Sequence, residues 1–107
     1  MKVTTSARHG SICDQTRERF EAKVEKLGRN FDQVTEVNIL VDLANRETPK
    51  LDVTVKQNNG PDAIATIDNK ELMIALDLAL DKLEQQLRKS KEKKIDRYQA
   101  AGELPTG

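Results

Sequence analysis

Apolar residues along this chain switch between two spacings, and the order of the switches limits the fold more than any other feature. Val3, Thr5 and Ala7 alternate with Lys2, Thr4 and Ser6, which predicts a strand over 2–8. Gly10-Ser11 breaks it. Thr16, Phe20, Val24, Leu27 and Phe31 then follow one face of a helix over about 14–30. Asp14 and Glu18 near its start and Arg29 at its end complement the helix dipole. Cys13 is a poor cap, so Ser11 or Asp14 is expected to serve. Alternation returns over 34–44, where Val37, Ile39, Val41 and Leu43 share a face, and again at Leu51, Val53 and Val55. Asn58-Asn59-Gly60-Pro61 signals a hairpin turn into a strand over 63–68. That last strand offers two plausible inward faces, Ala63/Ala65/Ile67 or Ile64/Thr66.

A second helical stripe follows: Leu72, Leu76, Ala79, Leu80, Leu83 and Leu87. Asp68 or Asn69 is expected to cap it, with Glu71 in its first turn. Ile74 and Leu78 lie off the stripe and are expected to be covered by a second surface, with the first helix as one candidate. Beyond Leu87 the stripe positions become Ser90, Lys91 and Lys94, while helix propensity persists to about Tyr98. The second helix is therefore expected to project past the core.

The element order is β-α-β-β-β-α, an α+β arrangement. Its simplest packing is a four-stranded mixed sheet with both helices packed on one face. The last three strands make an antiparallel meander. If the first two strands pair, the intervening helix makes them parallel, with a right-handed crossover. At 107 residues the chain suits one domain, read as 1–98, followed by a flexible tail over 99–107. Phe20, Phe31 and Tyr98 are its only aromatics, so the core rests on Leu, Ile, Val and Ala.

Several function classes find no support. The apolar stretch from Leu72 to Leu80 is interrupted by Asp77 and too short to cross a bilayer, so no membrane is expected as a partner. The first residues lack a secretory signal core. Cys13 is the only cysteine and His9 the only histidine, which leaves no zinc cluster and no surrounding catalytic motif. Asp77 and Asp81 share a helix face but lack the companions that metal or acid–base chemistry needs. No catalytic residue, metal, cofactor or small-molecule substrate is expected. The isolated protein is expected to be monomeric.

Charge speaks through its distribution. Lys plus Arg and Asp plus Glu number 18 each, so the sum is zero. By segment, residues 1–12 carry +2, 13–30 carry +1, 31–81 carry −6, 82–97 carry +4 and 98–107 carry −1. With both helices on one face, their bases can merge into a positive surface that attracts phosphate. The same bases at the end of the second helix also suit its dipole without any ligand. Both readings fit the pattern. The shortage of aromatics removes a stacking platform, so any RNA recognised is structured RNA, by backbone and shape. A protein-interaction adaptor using an acidic sheet face, and a module for duplex RNA, are the alternatives.

The run from Asp77 to Lys93, DLALDKLEQQLRKSKEK, resembles the second-helix signature of the ribosome hibernation-promoting factors. That family includes the ribosome-associated inhibitor also called sigma factor modulation protein. Arg8-His9 resembles the family's opening, and the run from Lys23 to Phe31 the end of its first helix. Similarity covers roughly residues 2–94, and the β-α-β-β-β-α order agrees.

The resemblance implies a cytoplasmic bacterial protein that binds the small ribosomal subunit and its 16S rRNA near the decoding centre. Occupying that cleft excludes messenger and transfer RNA and inhibits translation in idle ribosomes, without chemistry. Carried over by position, the rRNA-facing residues are Arg8, Lys23, Lys26, Arg29, Lys82, Arg88, Lys89, Lys91 and Lys93. Gln85 stands where Arg is frequent in the family, Ser90 where His is frequent, and Met73 where an aromatic is common. The ending at Gly107 resembles the short family form, which lacks a C-terminal dimerisation domain.

Overall fold

The computed structural model describes the backbone of residues 1–99 and the side chains of residues 1–89. The elements are β1 (Lys2–Arg8), α1 (Asp14–Asn30), β2 (Val34–Asp42), β3 (Lys50–Gln57), β4 (Ala63–Asp68) and α2 (Leu72–Gln99). The strands form one sheet in the order β1-β2-β3-β4. β1 and β2 are parallel, with Val3 opposite Val37 and Ala7 opposite Val41; the other pairs are antiparallel. The expected mixed sheet is therefore present.

Alternation decides which face is covered. Val37, Ile39, Val41, Leu51, Val53 and Val55 are essentially inaccessible to solvent and join α1 and α2 side chains in a single core. On β4 the ambiguity resolves to Ala63, Ala65 and Ile67 inward, with Ile64 left 56 % exposed. Those alanines face a helix that buries Ala75 and Ala79, so small side chains on both elements permit close approach. α2 covers β3 and β4, and α1 covers β1 and β2. Gln86 of α2 also closes the outer edge of β4. Its amide accepts from the Ile64 N–H at 3.2 Å and donates to the Ile64 carbonyl at 2.9 Å.

Several local expectations need correction. Cys13 occupies the N-cap of α1 without a side-chain cap bond, so neither Ser11 nor Asp14 performs that role. The Cys13 thiol instead lies 3.2 Å from the Thr16 hydroxyl. Before α2, Asn69 accepts from the Glu71 N–H at 2.9 Å, and the Glu71 carbonyl accepts from Ala75 at 3.0 Å. Asn69 thus shapes the preceding turn, and Glu71 lies just ahead of a first turn that holds no acid. β2 stops at Asp42 rather than Ala44, because the Asp42 carboxylate takes the Ala44 N–H at 3.0 Å and turns the chain. At its start, a bulge between Val34 and Glu36 lets Val34 and Val37 both face the core.

α1 does not cover Ile74 and Leu78, each 44 % exposed. Helical spacing puts both nearly opposite Leu76, while α1 meets the flank of α2 carrying Asp77, Leu80, Asp81 and Glu84. α2 continues well past Leu87 to Gln99. Past Leu87, Arg88 and Lys89 are exposed, and from residue 90 the side chains of the stretch expected to project lie outside the described residues, as does all of the expected tail but the backbone of Gln99. Among the described residues no helix is long and apolar enough to cross a membrane.

The fully buried Leu83 and the exposed Leu78 lie five residues apart on α2. Leu83→Ala is expected to lower unfolding stability by about 2–5 kcal/mol, because a cavity adds to the lost transfer energy. Leu78→Ala should change it by less than about 0.5 kcal/mol. Urea denaturation of the two variants checks the contrast.

Candidate nucleic-acid interface

β1 and β4 point the same way through the sheet, and each helix returns antiparallel to the strand it follows. α1 and α2 therefore run parallel, side by side over the covered face. Met1 seats its thioether over Gly28, where an added Cβ would stand 2.8 Å from sulfur. That contact places the end of α1 beside the start of β1. Arg29 sits at this end among Met1, Glu25 and Asp32.

The structure separates the sequence-predicted bases into groups. Lys23 and Lys26 line a groove of about 230 Å³ between the helices, with Leu27, Asp77, Leu80, Asp81 and Glu84. Lys23 is already engaged there, its Nζ 2.6 Å from Asp77 Oδ1. Lys82, Arg88 and Lys89 are exposed on α2. Lys82 and Lys89 are two turns apart and share a flank, while Arg88 points about 100° away, toward the α1 side. Lys91 and Lys93 lie on α2 beyond the residues whose side chains are described. The bases of the two helices therefore do not merge through the groove, because acids of α2 stand between them.

Arg8 is not brought to the helices. It lies on the opposite face of the sheet, at the end where both helices begin, in a cross-strand row with Asp42, Lys50 and Asp68. That open face also carries Lys2, Glu36 and Lys56 in register, with Lys56 Nζ 3.5 Å from Glu36 Oε2. The acidic sheet face expected of an adaptor is therefore absent: Lys2, Arg8, Lys50 and Lys56 offset Glu36, Asp42, Asp52 and Asp68. Much of the acid of the middle segment lies elsewhere, on α2 and in turns.

Sequence reasoning missed the pairing of His9 with Asp42. His9 adopts a left-handed conformation, φ 61°, which His tolerates better than most residues. Its Nδ1 lies 3.0 Å from Asp42 Oδ1. Gly10 follows because a Cβ there would stand 2.8 Å from Leu43 Cδ1. The Leu43 N–H donates to the Arg8 carbonyl at 2.9 Å, which completes a lock between the ends of β1 and β2. The Ala44 N–H and then His9 hold the Asp42 carboxyl below its ordinary value of 3.8. The histidine thus has a positioning role in the turn beside Arg8. Among the described residues no cluster of three or more His, Cys, Asp or Glu is placed to hold a metal ion.

Comparison with known proteins follows the same fold. The family described as Sigma 54 modulation protein / S30EA ribosomal protein matches residues 3–95. A ribosome hibernation promoting factor of Azotobacter vinelandii is 32 % identical over 99 residues, covering 92 % of this chain and 91 % of its own. One from Escherichia coli K12 is 29 % identical over 93 residues, covering 87 % of this chain and 96 % of its own. A ribosomal subunit interface protein from Coxiella burnetii superposes with a TM-score of 0.74 at 24 % identity, over 86 % of this chain and 99 % of that one. The last likeness shows the fold.

A depressed carboxyl pKa contributes stability above the unfolded value and loses it as pH falls through the folded one. Asp42→Ala is therefore expected to melt below the wild type at pH 7. The gap should close as pH falls below about 3.8, the ordinary value for Asp42. Thermal melts from pH 7 to pH 2.5 check this; a gap that persists at the lowest pH would exclude the charge as its source.

Proposed function

Because this chain belongs to the Sigma 54 modulation protein / S30EA ribosomal protein family, we propose that it acts in ribosome hibernation, docking on the small ribosomal subunit. The observation that carries the reading is the near full-length match to hibernation promoting factors. The exposed bases of the helix layer give that match a physical means.

Docking places the chain near the decoding centre, against 16S rRNA, in the cytoplasm of a bacterium. Arg29, Lys82, Arg88 and Lys89 meet phosphate and sugar, and Lys91 and Lys93 are assigned to the same RNA by the resemblance. Lys23 and Lys26 join once the helix groove opens to RNA. Arg8 contacts RNA from the other face of the sheet, so the protein is held from two sides in a cleft. Each base supplies charge and position rather than sequence readout. Inhibition is by occlusion: the occupied cleft excludes messenger and transfer RNA, and idle ribosomes stay out of translation. Summed over its acids and bases the sheet face adds no net attraction, so Arg8 acts there as a local contact and the helices carry most of the docking charge.

Reversing charge at Lys89, Lys91 and Lys93 together is expected to abolish most co-sedimentation with purified small subunits while leaving the circular dichroism spectrum unchanged. Wild-type affinity should fall steeply with salt, because log K drops by about 0.9 for each phosphate neutralised per decade of salt. Sucrose-gradient profiles across a salt series measure both effects. Salt-insensitive binding, an undiminished triple variant, or equal competition by free duplex RNA would count against the assignment.

A further inference from the structure

Lys23 is one of the bases assigned to RNA, yet its ammonium is held within the protein. Its Nζ lies 2.6 Å from Asp77 Oδ1, and the two side chains are 35 % and 56 % exposed. The pair sits at the mouth of a groove whose apolar members are Leu27 and Leu80. Asp81 and Glu84 continue along the same flank of α2, four and seven residues after Asp77, with Lys26 across from them. A phosphate approaching Lys23 therefore meets a carboxylate already in place, and two more beside it.

The pair has little structural duty of its own. Ion pairs this open to water contribute small amounts to stability. The helices are anchored independently, by fully buried Phe20, Val24 and Leu27 on α1 and Leu76, Leu83 and Leu87 on α2. Both partners reach water, so an incoming anion can displace the carboxylate without unpacking the core.

We propose that Asp77 is an electrostatic latch on the RNA-binding surface: it holds Lys23 in the free protein and must surrender it to RNA phosphate on docking. This rests on the RNA-docking role stated above. Asp81 and Glu84 repel phosphate along the same groove, so stray contacts at the groove are unfavourable until the outer bases have engaged. The latch lowers affinity by the cost of exchanging one anionic partner for another. It also blunts salt dependence, because salt screens the exposed Lys23–Asp77 pair that docking breaks as well as the phosphate contact that docking forms.

Binding to purified small subunits, measured by sedimentation across a salt series, tests the latch with Asp77→Asn, Lys23→Gln and the double variant. Asp77→Asn is expected to bind about two- to fivefold tighter near 0.1 M salt, the range set by one exposed ion pair. Its salt slope should steepen by up to about 0.9, one freed lysine's share. The gain should vanish when Lys23 is Gln. Affinity of Asp77→Asn equal to or below wild type overturns the latch, as does a gain that survives in the double variant. Thermal melts verify that each variant is folded, and Asp77→Ser replaces Asp77→Asn if it is not. A wild type that fails to bind subunits overturns the docking role and the latch with it. A wild type that binds, with no gain from Asp77→Asn, overturns the latch alone.

Discussion

The architecture depends on the one-sided burial of a four-stranded sheet. Val37, Ile39, Val41, Leu51, Val53 and Val55 present a continuous apolar face, which must be kept from water. Two helices laid side by side supply the cover. Because each returns antiparallel to β1 or β4, they lie parallel and create a groove between them. The ion pair of Lys23 with Asp77, the outward row of Lys82 and Lys89, and the isolation of Arg8 on the far face all follow from that arrangement.

Periodicity makes most of this legible in the sequence. Strict alternation identified the inward residues of β1 and β3, and the 3.6-residue stripe identified Phe20, Val24 and Leu27. What escaped were features in which a side chain substitutes for a backbone partner or breaks the period. The bulge at Thr35 is stabilised by its hydroxyl donating to the Lys56 carbonyl at 3.2 Å, a contact 21 residues away in sequence. The inward face of β4 was undecidable because alanine is nearly neutral in hydrophobic patterning, and the choice falls to how closely α2 can approach. Ile74 and Leu78, apolar but off the stripe, call for a second cover, yet α1 meets another flank of α2 and leaves both exposed.

Charge was legible as a sum per segment and illegible as a surface. The negative middle segment suggested an acidic sheet face. In the fold, however, neighbouring strands set Lys2 beside Glu36 and Lys50 beside Asp42 and Asp68, and the face is balanced. The two basic helices suggested a merged positive surface, yet Asp77, Asp81 and Glu84 occupy the seam between them. Segment totals cannot register either fact, since both depend on which flank of an element meets which neighbour. The match to the second-helix signature is independent of those totals and survives the corrections to them.

The amide of Gln86 has a consequence for the protein in a crowded cell. By occupying both backbone groups of Ile64, it takes the place that another chain's peptide group would fill. An outermost strand with free donors and acceptors invites growth of the sheet from one molecule into the next. Here the helix above the sheet reaches down and stoppers that edge midway, where the neighbouring Ile64 side chain would otherwise add an apolar lure. The chain thus carries a built-in barrier to polymerising through β4.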